Sequence, residues 1–367
     1  MDNIIYIITL IYVLENLIFY FGLFRSSRLK KSDINDNELP FVSVILAARN
    51  EEKVITPCIN SLVNVDYSYD KLQIILVNDR SEDKTGEIMK SFQEVYKFVE
   101  YLEIVSQSGN FKGKTNALHQ AITHAKGEII LTTDADIKVK RTWVKDMISY
   151  YAGDTGVVSS YSIIEPKRLY QGIQSVDWLY LLAIACASFG LNSPISCVGN
   201  NMSYRRKAYN EAGGYENLKF SVTEDFLLLQ AIRKKTSWKV KFPLDSNVVN
   251  ITQPCTSPKE LYNQKKRWAR GGLDSVSAGL VVGPFSWVMG AVLLFGWIVF
   301  SLKSYLIFLA VKIILEVLLI LLPAVKFKMT KSLLYLIPFQ VYFAVYVFFM
   351  PFILIFDGKI NWKNRKF

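Results

Sequence analysis

The run EIILTTDADIKVK, residues 128–140, sets Asp134 and Asp136 on either side of one alanine, directly after an apolar and β-branched stretch. Residues two apart in a strand point the same way, so both carboxylates are expected to converge at the strand's carboxyl end. Carboxylates so close repel each other, and a divalent cation relieves that repulsion. Mg2+ and Mn2+ take oxygen ligands and are commonly held by one or two carboxylates, with substrate phosphates completing the shell. The ordinary alternative is a turn, because Asp is frequent after strands.

Further polar clusters recur along the chain. In VNDRSEDKT (77–85), Asp79 can accept a hydrogen bond from a nucleobase N–H or a ribose hydroxyl, whereas Asp83 stands where a helix should start and reads as its cap. FKGKTNALHQAI (111–122) puts Gly113 and Lys114 ahead of a helix, where backbone N–H groups and an ammonium suit a diphosphate. VTEDFLLLQAIRKK (222–235) sets Thr223, Glu224 and Asp225 before an apolar helical run, and a helix cap with acids in the first turn is the plain reading. QKKRWARGG (264–272) carries Gln264, Arg267 and Trp268 just ahead of an apolar region, and its plain reading is a basic interfacial helix lying on lipid headgroups.

The elements that must position these groups alternate. Residues 41–48, 71–79, 101–106 and 127–134 read as strands, and 51–65, 83–92 and 114–125 as amphipathic helices between them. Continuous apolar strands alternating with helices predict a mostly parallel sheet covered on both faces. Ligands of such sheets bind outside the carboxyl ends of the strands. Arg49-Asn50-Glu51, Asn78-Asp79 and Asp134-Ala135-Asp136 all fall at those ends.

Around this α/β part the chain is apolar. Residues 4–24 are long enough to cross a bilayer, and 280–300, 305–323 and 333–356 form three more apolar segments. The basic flank at 25–31 places the intervening domain on the cytoplasmic side. The domain plan is therefore a transmembrane helix (1–24), a basic linker (25–40), a catalytic domain (41–257), an interfacial helix (258–279), a membrane region (280–356) and a basic tail (357–367). Three full C-terminal crossings would leave that tail outside, against the positive-inside rule. One stretch is then re-entrant or interfacial, or the rule is broken, and Pro338 and Pro351 mark the last stretch for irregularity. Glu15 and Glu316 lie within apolar stretches, where an acid costs about 2.5–3.5 kcal/mol at mid-helix, and are expected to face other helices.

The net charge of +11 is explained by basic clusters at these membrane flanks, where anionic headgroups attract them. Basic residues interleaved with aromatics on the α/β part, as a nucleic-acid surface requires, do not stand out, so nucleic acid is not an expected partner. Four scattered cysteines without a C-x-x-C pair argue against a zinc site or a disulfide framework. His119 and His124 fall on a predicted helix and read as packing or surface residues.

AARNEE, VNDRSEDKT, GKTNAL, TTDAD, TED and QKKRW, in this order and spacing, resemble glycosyltransferase family 2. More narrowly they resemble its membrane-embedded QxxRW branch, which includes ceramide glucosyltransferases and the cellulose and hyaluronan synthases. The tail GKINWKNRKF is similar to the W-x-G-R-x-Y-like ending of the ceramide-glucosyltransferase-like members, with Asn364 where that pattern has glycine. The resemblance implies an α/β GT-A fold (a Rossmann-like nucleotide-diphospho-sugar transferase) flanked by transmembrane helices, a nucleotide-sugar donor such as a UDP-sugar, a divalent cation (Mg2+ or Mn2+) and inversion at the anomeric carbon. By it, Arg49 and Glu51 border the donor, Asp79 holds the uridine and Lys114 the diphosphate. Asp134 touches the ribose or the metal shell, Asp136 binds the metal, and Asp225 is the general base. Gln264, Arg267 and Trp268 line the donor diphosphate and the acceptor entrance. Many relatives have two acids where this chain has Asn78-Asp79, which leaves Asn78 without an assigned part.

The expected activity is transfer of a sugar to a membrane lipid or glycolipid at the bacterial inner membrane. A processive polysaccharide synthase and an inactive membrane scaffold are the alternatives. The sugar, the acceptor and the oligomeric state stay open at this point.

Overall fold

The computed structural model describes residues 2–108, 111–274, 279–356, 361–362 and 365–366. Asn364 and most of the basic tail lie outside the described residues. In chain order the elements begin with α1 (Asp2–Ser27), β1 (Val42–Ala48), α2 (Ile55–Val63), β2 (Leu72–Asn78), α3 (Thr85–Val95), β3 (Val99–Glu103), α4 (Gly113–His124) and β4 (Ile129–Thr133). They continue with α5 (Trp143–Ile148), β5 (Thr155–Ser159), β6 (Ser162–Ile164), α6 (Leu169–Gly190), β7 (Met202–Arg205), α7 (Arg206–Glu211), α8 (Glu224–Lys235), β8 (Lys239–Lys241) and β9 (Asn250–Thr252). The last third holds α9 (Pro258–Asp274), α10 (Gly279–Val299), α11 (Leu302–Lys326), α12 (Leu336–Phe356) and a short pair, β10 (Asn361–Trp362) and β11 (Arg365–Lys366).

The chain divides into two compact units, a sheet unit of residues 29–162 and 197–253 and a helical unit of 1–28, 163–196 and 254–367. The sheet unit is built on seven strands in the order β3-β2-β1-β4-β7-β5-β8. β1 pairs in parallel with β2 on one side and with β4 on the other, and β7 runs antiparallel to β4 and β5. β1 and β2 are apolar runs because helices cover both faces: Val42, Val44, Leu46, Ile74 and Leu76 pack with Ile59, Leu62 and Trp143 in one core. The strand order reverses between β1 and β4, which is where a doubly wound sheet opens a crevice for a ligand.

Residues 163–196, expected as part of the catalytic domain 41–257, group instead with the helical unit. The most apolar 18-residue window of their helix α6 has a mean hydropathy of 1.3, and 78 % of that window is buried. Gln174, Asp177 and several aromatics break its apolar run, which hid it in the sequence.

Among the described residues, four helices are long and apolar enough to span a bilayer: α1, α6, α11 and the segment Thr330–Phe356, with a shorter apolar helix at Gly283–Val299. The irregular part of the last stretch is its start, a 3-10 turn at Thr330–Tyr335, while Pro351 is carried inside α12. α1 and α6 touch backbone to backbone, since a Cβ on Gly190 would lie 1.9 Å from the Gly22 carbonyl oxygen. Small residues allow this approach between apolar helices. Glu316 is buried, accepts a hydrogen bond from the Tyr12 hydroxyl at 2.9 Å and pairs with Lys312 at 2.5 Å, so it faces helices as expected. Glu15 is half-buried and lines a cavity of about 20 Å³ with Tyr12, Asn16 and Lys312.

Candidate active site

β4 stops at Thr133, and Asp134–Asp136 form a turn closed by the Ile137 amide donating to the Asp134 carbonyl at 3.2 Å. The two carboxylates are therefore brought together by a turn and not by strand alternation. Burial, followed by the neighbouring Asp134 charge, pushes the Asp136 carboxyl above its usual range, and the Thr252 hydroxyl donates to it at 2.7 Å. Two carboxylates that oppose each other's charge suit a divalent cation completed by substrate phosphates. Among the described residues no group of three or more His, Cys, Asp or Glu could hold a metal by itself.

Lys114 lies in the first turn of α4, whose leading residue Gly113 has φ +55°, a conformation that favours glycine. Its ammonium bonds the Asp134 carboxylate and stands 3.7 Å from Glu224. Burial opposes its charged form, but Asp134 and Glu224, with Asp225 behind them, outweigh it and hold its pKa above that of an ordinary lysine. Three carboxylates thus act on one ammonium at the N-terminus of a helix, where a diphosphate is favoured.

Glu224 and Asp225 open α8, whose Thr223 makes no side-chain cap. Asp225 Oδ1 accepts from the Phe226 amide at 2.8 Å, and the helix dipole favours negative charge there. Its other oxygen packs on Gly199, where an added Cβ would lie 2.8 Å away. The turn carrying Gly199 is held from below. The Thr132 hydroxyl donates to the Gly199 carbonyl at 2.8 Å, and Trp143 Nε1 donates to Asn201 Oδ1 at 2.9 Å. Asn201 Nδ2 in turn donates to the Tyr161 and Val248 carbonyls. Gly199→Ala is expected to displace the Asp225 carboxylate, lowering kcat at least about tenfold with little change in donor affinity. Steady-state kinetics beside calorimetry of nucleotide binding check this, and an unchanged kcat would show that the contact is idle.

The remaining donor-side residues line the ends of β1 and β2. Asp79 is buried, its amide donates to the Ala48 carbonyl at 2.9 Å, and its carboxylate pairs with Arg80 at 3.2 Å. Arg49 reaches across to the Asp79 and Arg80 carbonyls and to Glu82, so it braces the loop after β2. The Glu51 amide donates to the Thr85 hydroxyl at 2.8 Å. Asn50 and Arg80 both have positive φ (54° and 58°), a strained arrangement that clusters at binding sites. Asn78 turns out to be a strut. Its Nδ2 donates to the Tyr101 hydroxyl at 3.1 Å and its Oδ1 accepts from the Ser81 amide at 3.0 Å. Asp83 accepts from the Thr85 amide and hydroxyl, and these bonds overcome burial to hold its carboxyl below the usual range. His119 packs against Phe111, the rings tilted by 30° with centroids 4.3 Å apart. Beside Glu224 opens a groove of about 580 Å³ with Phe111, Tyr215 and Phe220 in its walls.

Gln264, Arg267 and Trp268 belong to α9 of the helical unit. Trp268 stacks on Trp178 of α6, ring centroids 4.8 Å apart. Thr252, Gly199 and Asn201 were not anticipated. Only VGNN, a turn-prone cluster ahead of β7, carried a local signal for the last two.

The chain matches Glycosyl transferase family 21 over residues 5–367. It is similar to the probable glycosyltransferase YdaM of Bacillus subtilis, 29 % identical over 242 residues that cover 65 % of this chain and 56 % of that protein. It also resembles the beta-monoglucosyldiacylglycerol synthase of Trichormus variabilis, at 27 % identity with 64 % and 49 % covered. The poly-beta-1,6-N-acetyl-D-glucosamine synthase of Staphylococcus aureus is 27 % identical over 71 % of this chain and 62 % of its own. The chain thus spans about half to three-fifths of the length of these relatives. Among solved structures, a mannosyltransferase from Pyrobaculum calidifontis in complex with GDP-Man and Mn2+ superposes with a TM-score of 0.65, covering 97 % of this chain and 99 % of that one at 18 % identity. That likeness establishes the GT-A fold.

Proposed function

The chain belongs to glycosyl transferase family 21, and on that footing we propose that it moves a sugar from a nucleotide-sugar donor, a UDP-sugar, to a membrane lipid or glycolipid. The observation that carries this is the convergence of Asp134, Glu224 and Asp225 on Lys114 at the carboxyl end of the sheet.

In this reading Asp79 holds the nucleoside and Lys114, with the α4 N-terminus, takes up charge on the diphosphate. Asp134 and Asp136 would hold a divalent cation, which supplies further charge stabilisation to the leaving diphosphate when bound. Asp225 accepts the proton of the acceptor hydroxyl as its oxygen bonds the anomeric carbon. The bond from that carbon to the diphosphate breaks on the opposite face, its electron pair leaving with the diphosphate, so configuration inverts. A base so placed typically contributes about a hundred- to ten-thousand-fold. The aromatic groove beside Glu224 offers the acceptor's polar end a place against ring faces. In this reading the apolar helices lie in a bacterial inner membrane and the catalytic residues work on the cytoplasmic side, which the membrane-length helices and the basic flank at 25–31 support.

Purified protein in detergent, given radiolabelled UDP-sugars and a lipid extract, is expected to form a glycolipid bearing one sugar. A polymer as product would favour the polysaccharide-synthase reading, and no product with any UDP-sugar would overturn the donor assignment.

A further inference from the structure

Lys265 lies inside the QKKRW segment at a position to which the family resemblance gives no part, and its surroundings are those of an anchor. Its ammonium is paired with Asp177 of α6. It also stands 4.7 Å from the ring centroid of Trp268 and 4.9 Å from that of Tyr346 on α12. Lys265 is 4 % exposed and Asp177 2 %. Trp268, sharing a face with Lys265, carries the stack on Trp178.

Taking two charges out of water is costly, and an apolar pair of equal volume is often as stable. A buried pair is therefore weak evidence for stability, and its best-attested use is to hold one register. The ring faces add direction, because a cation is attracted along the normal of an aromatic ring. An α-helix turns about 100° per residue, so Trp268 falls between Gln264 and Lys265 around α9, with Arg267 on the far side of Gln264. Holding Lys265 and Trp268 sets the rotation of α9 about its axis, and hence the directions of Gln264 and Arg267.

We propose that Asp177 and Lys265 are positioning residues that lock the rotation of α9 and with it the directions of Gln264 and Arg267. The inference rests on the reading in which those two residues serve the donor. Neither Asp177 nor Lys265 touches substrate in it, and both act through α9.

The test compares Lys265→Met, Lys265→Arg, the double variant Asp177→Asn/Lys265→Met and Arg267→Ala in the full chain in detergent. Lys265→Met leaves a buried unpaired carboxylate and can fail to fold, whereas the double variant leaves no unpaired charge. The double variant is expected to keep a parent-like Tm but to lose at least about tenfold in kcat, with donor KM within about twofold. Lys265→Arg, which keeps the charge and the ring contacts, is expected to return to within about threefold of the parent. A double variant with parent-like Tm and parent-like kcat overturns the proposal, as does a loss in kcat matched by an equal fall in folded protein. If Arg267→Ala itself turns over at parent rates, the donor role of α9 falls, and the proposal with it. An inactive Arg267→Ala beside a fully active double variant overturns the positioning role alone.

Discussion

Replacing Asp225 by asparagine is expected to leave the protein folded, with donor affinity near the parent's and transfer reduced at least about a hundred-fold. The amide keeps the shape and an oxygen for the Phe226 amide, 2.8 Å away in the parent. It cannot take the acceptor's proton. Were Asp225 only a first-turn acid, its loss would cost about 0.3–1 kcal/mol of helix stability and leave the rate alone. Glu224→Gln is the control. Glu224 stands 3.7 Å from the Lys114 ammonium, which is a structural reason to expect an effect on diphosphate binding and a smaller loss of rate. Calorimetry of UDP binding and initial transfer rates on both variants separate the roles. Near-parent turnover by Asp225→Asn, or a dead Glu224→Gln, would move the base to another residue.

Asp136→Ala is expected to abolish transfer and to remove the dependence of donor binding on Mn2+ or Mg2+. Asp136 sits in the turn after β4, where burial and the Asp134 charge outweigh the hydrogen bond from Thr252 and leave its charged form disfavoured. Asp134 is engaged by Lys114, so the pair carries one balanced and one poorly balanced carboxylate. The Thr252 hydroxyl loses its acceptor in this variant, an effect of about 1 kcal/mol on folding. That is too small to explain lost activity. The measurement is UDP binding with and without metal, beside circular dichroism to confirm the fold. Metal-dependent turnover close to the parent's would leave DAD as a turn and nothing more.

The apolar runs that became β1, β2 and β4, and the polar residues that follow each of them, were legible because strand and helix periodicity is a local property of the chain. So was the place of the chemistry, since a parallel sheet presents the carboxyl ends of its strands on one edge. The apolar segments of the N- and C-terminal regions were equally plain, because bilayer thickness translates directly into residue count.

What the local pattern did not contain are pairings between residues far apart. Asp136 meets Thr252 and Lys114 meets Glu224 across more than a hundred positions. No periodicity announces either contact. The same holds for Asn201, which is buried by Trp143, Tyr161 and Val248 and thereby carries Gly199 to the Asp225 carboxylate. α6 was missed for a different reason. Its buried Asp177 and Gln174 are paired with Lys265 and Cys255 on other segments, so by itself it reads as a mixed stretch of a soluble domain. By itself, then, the sequence determined which segments are strands, helices and membrane-length runs, and at which edge the acids gather, for these follow from the spacing of side chains along one chain. Only the tertiary structure decided which carboxylate is balanced by which cation, and that α6 leaves the sheet unit, because charge balance and burial are properties of neighbours in space.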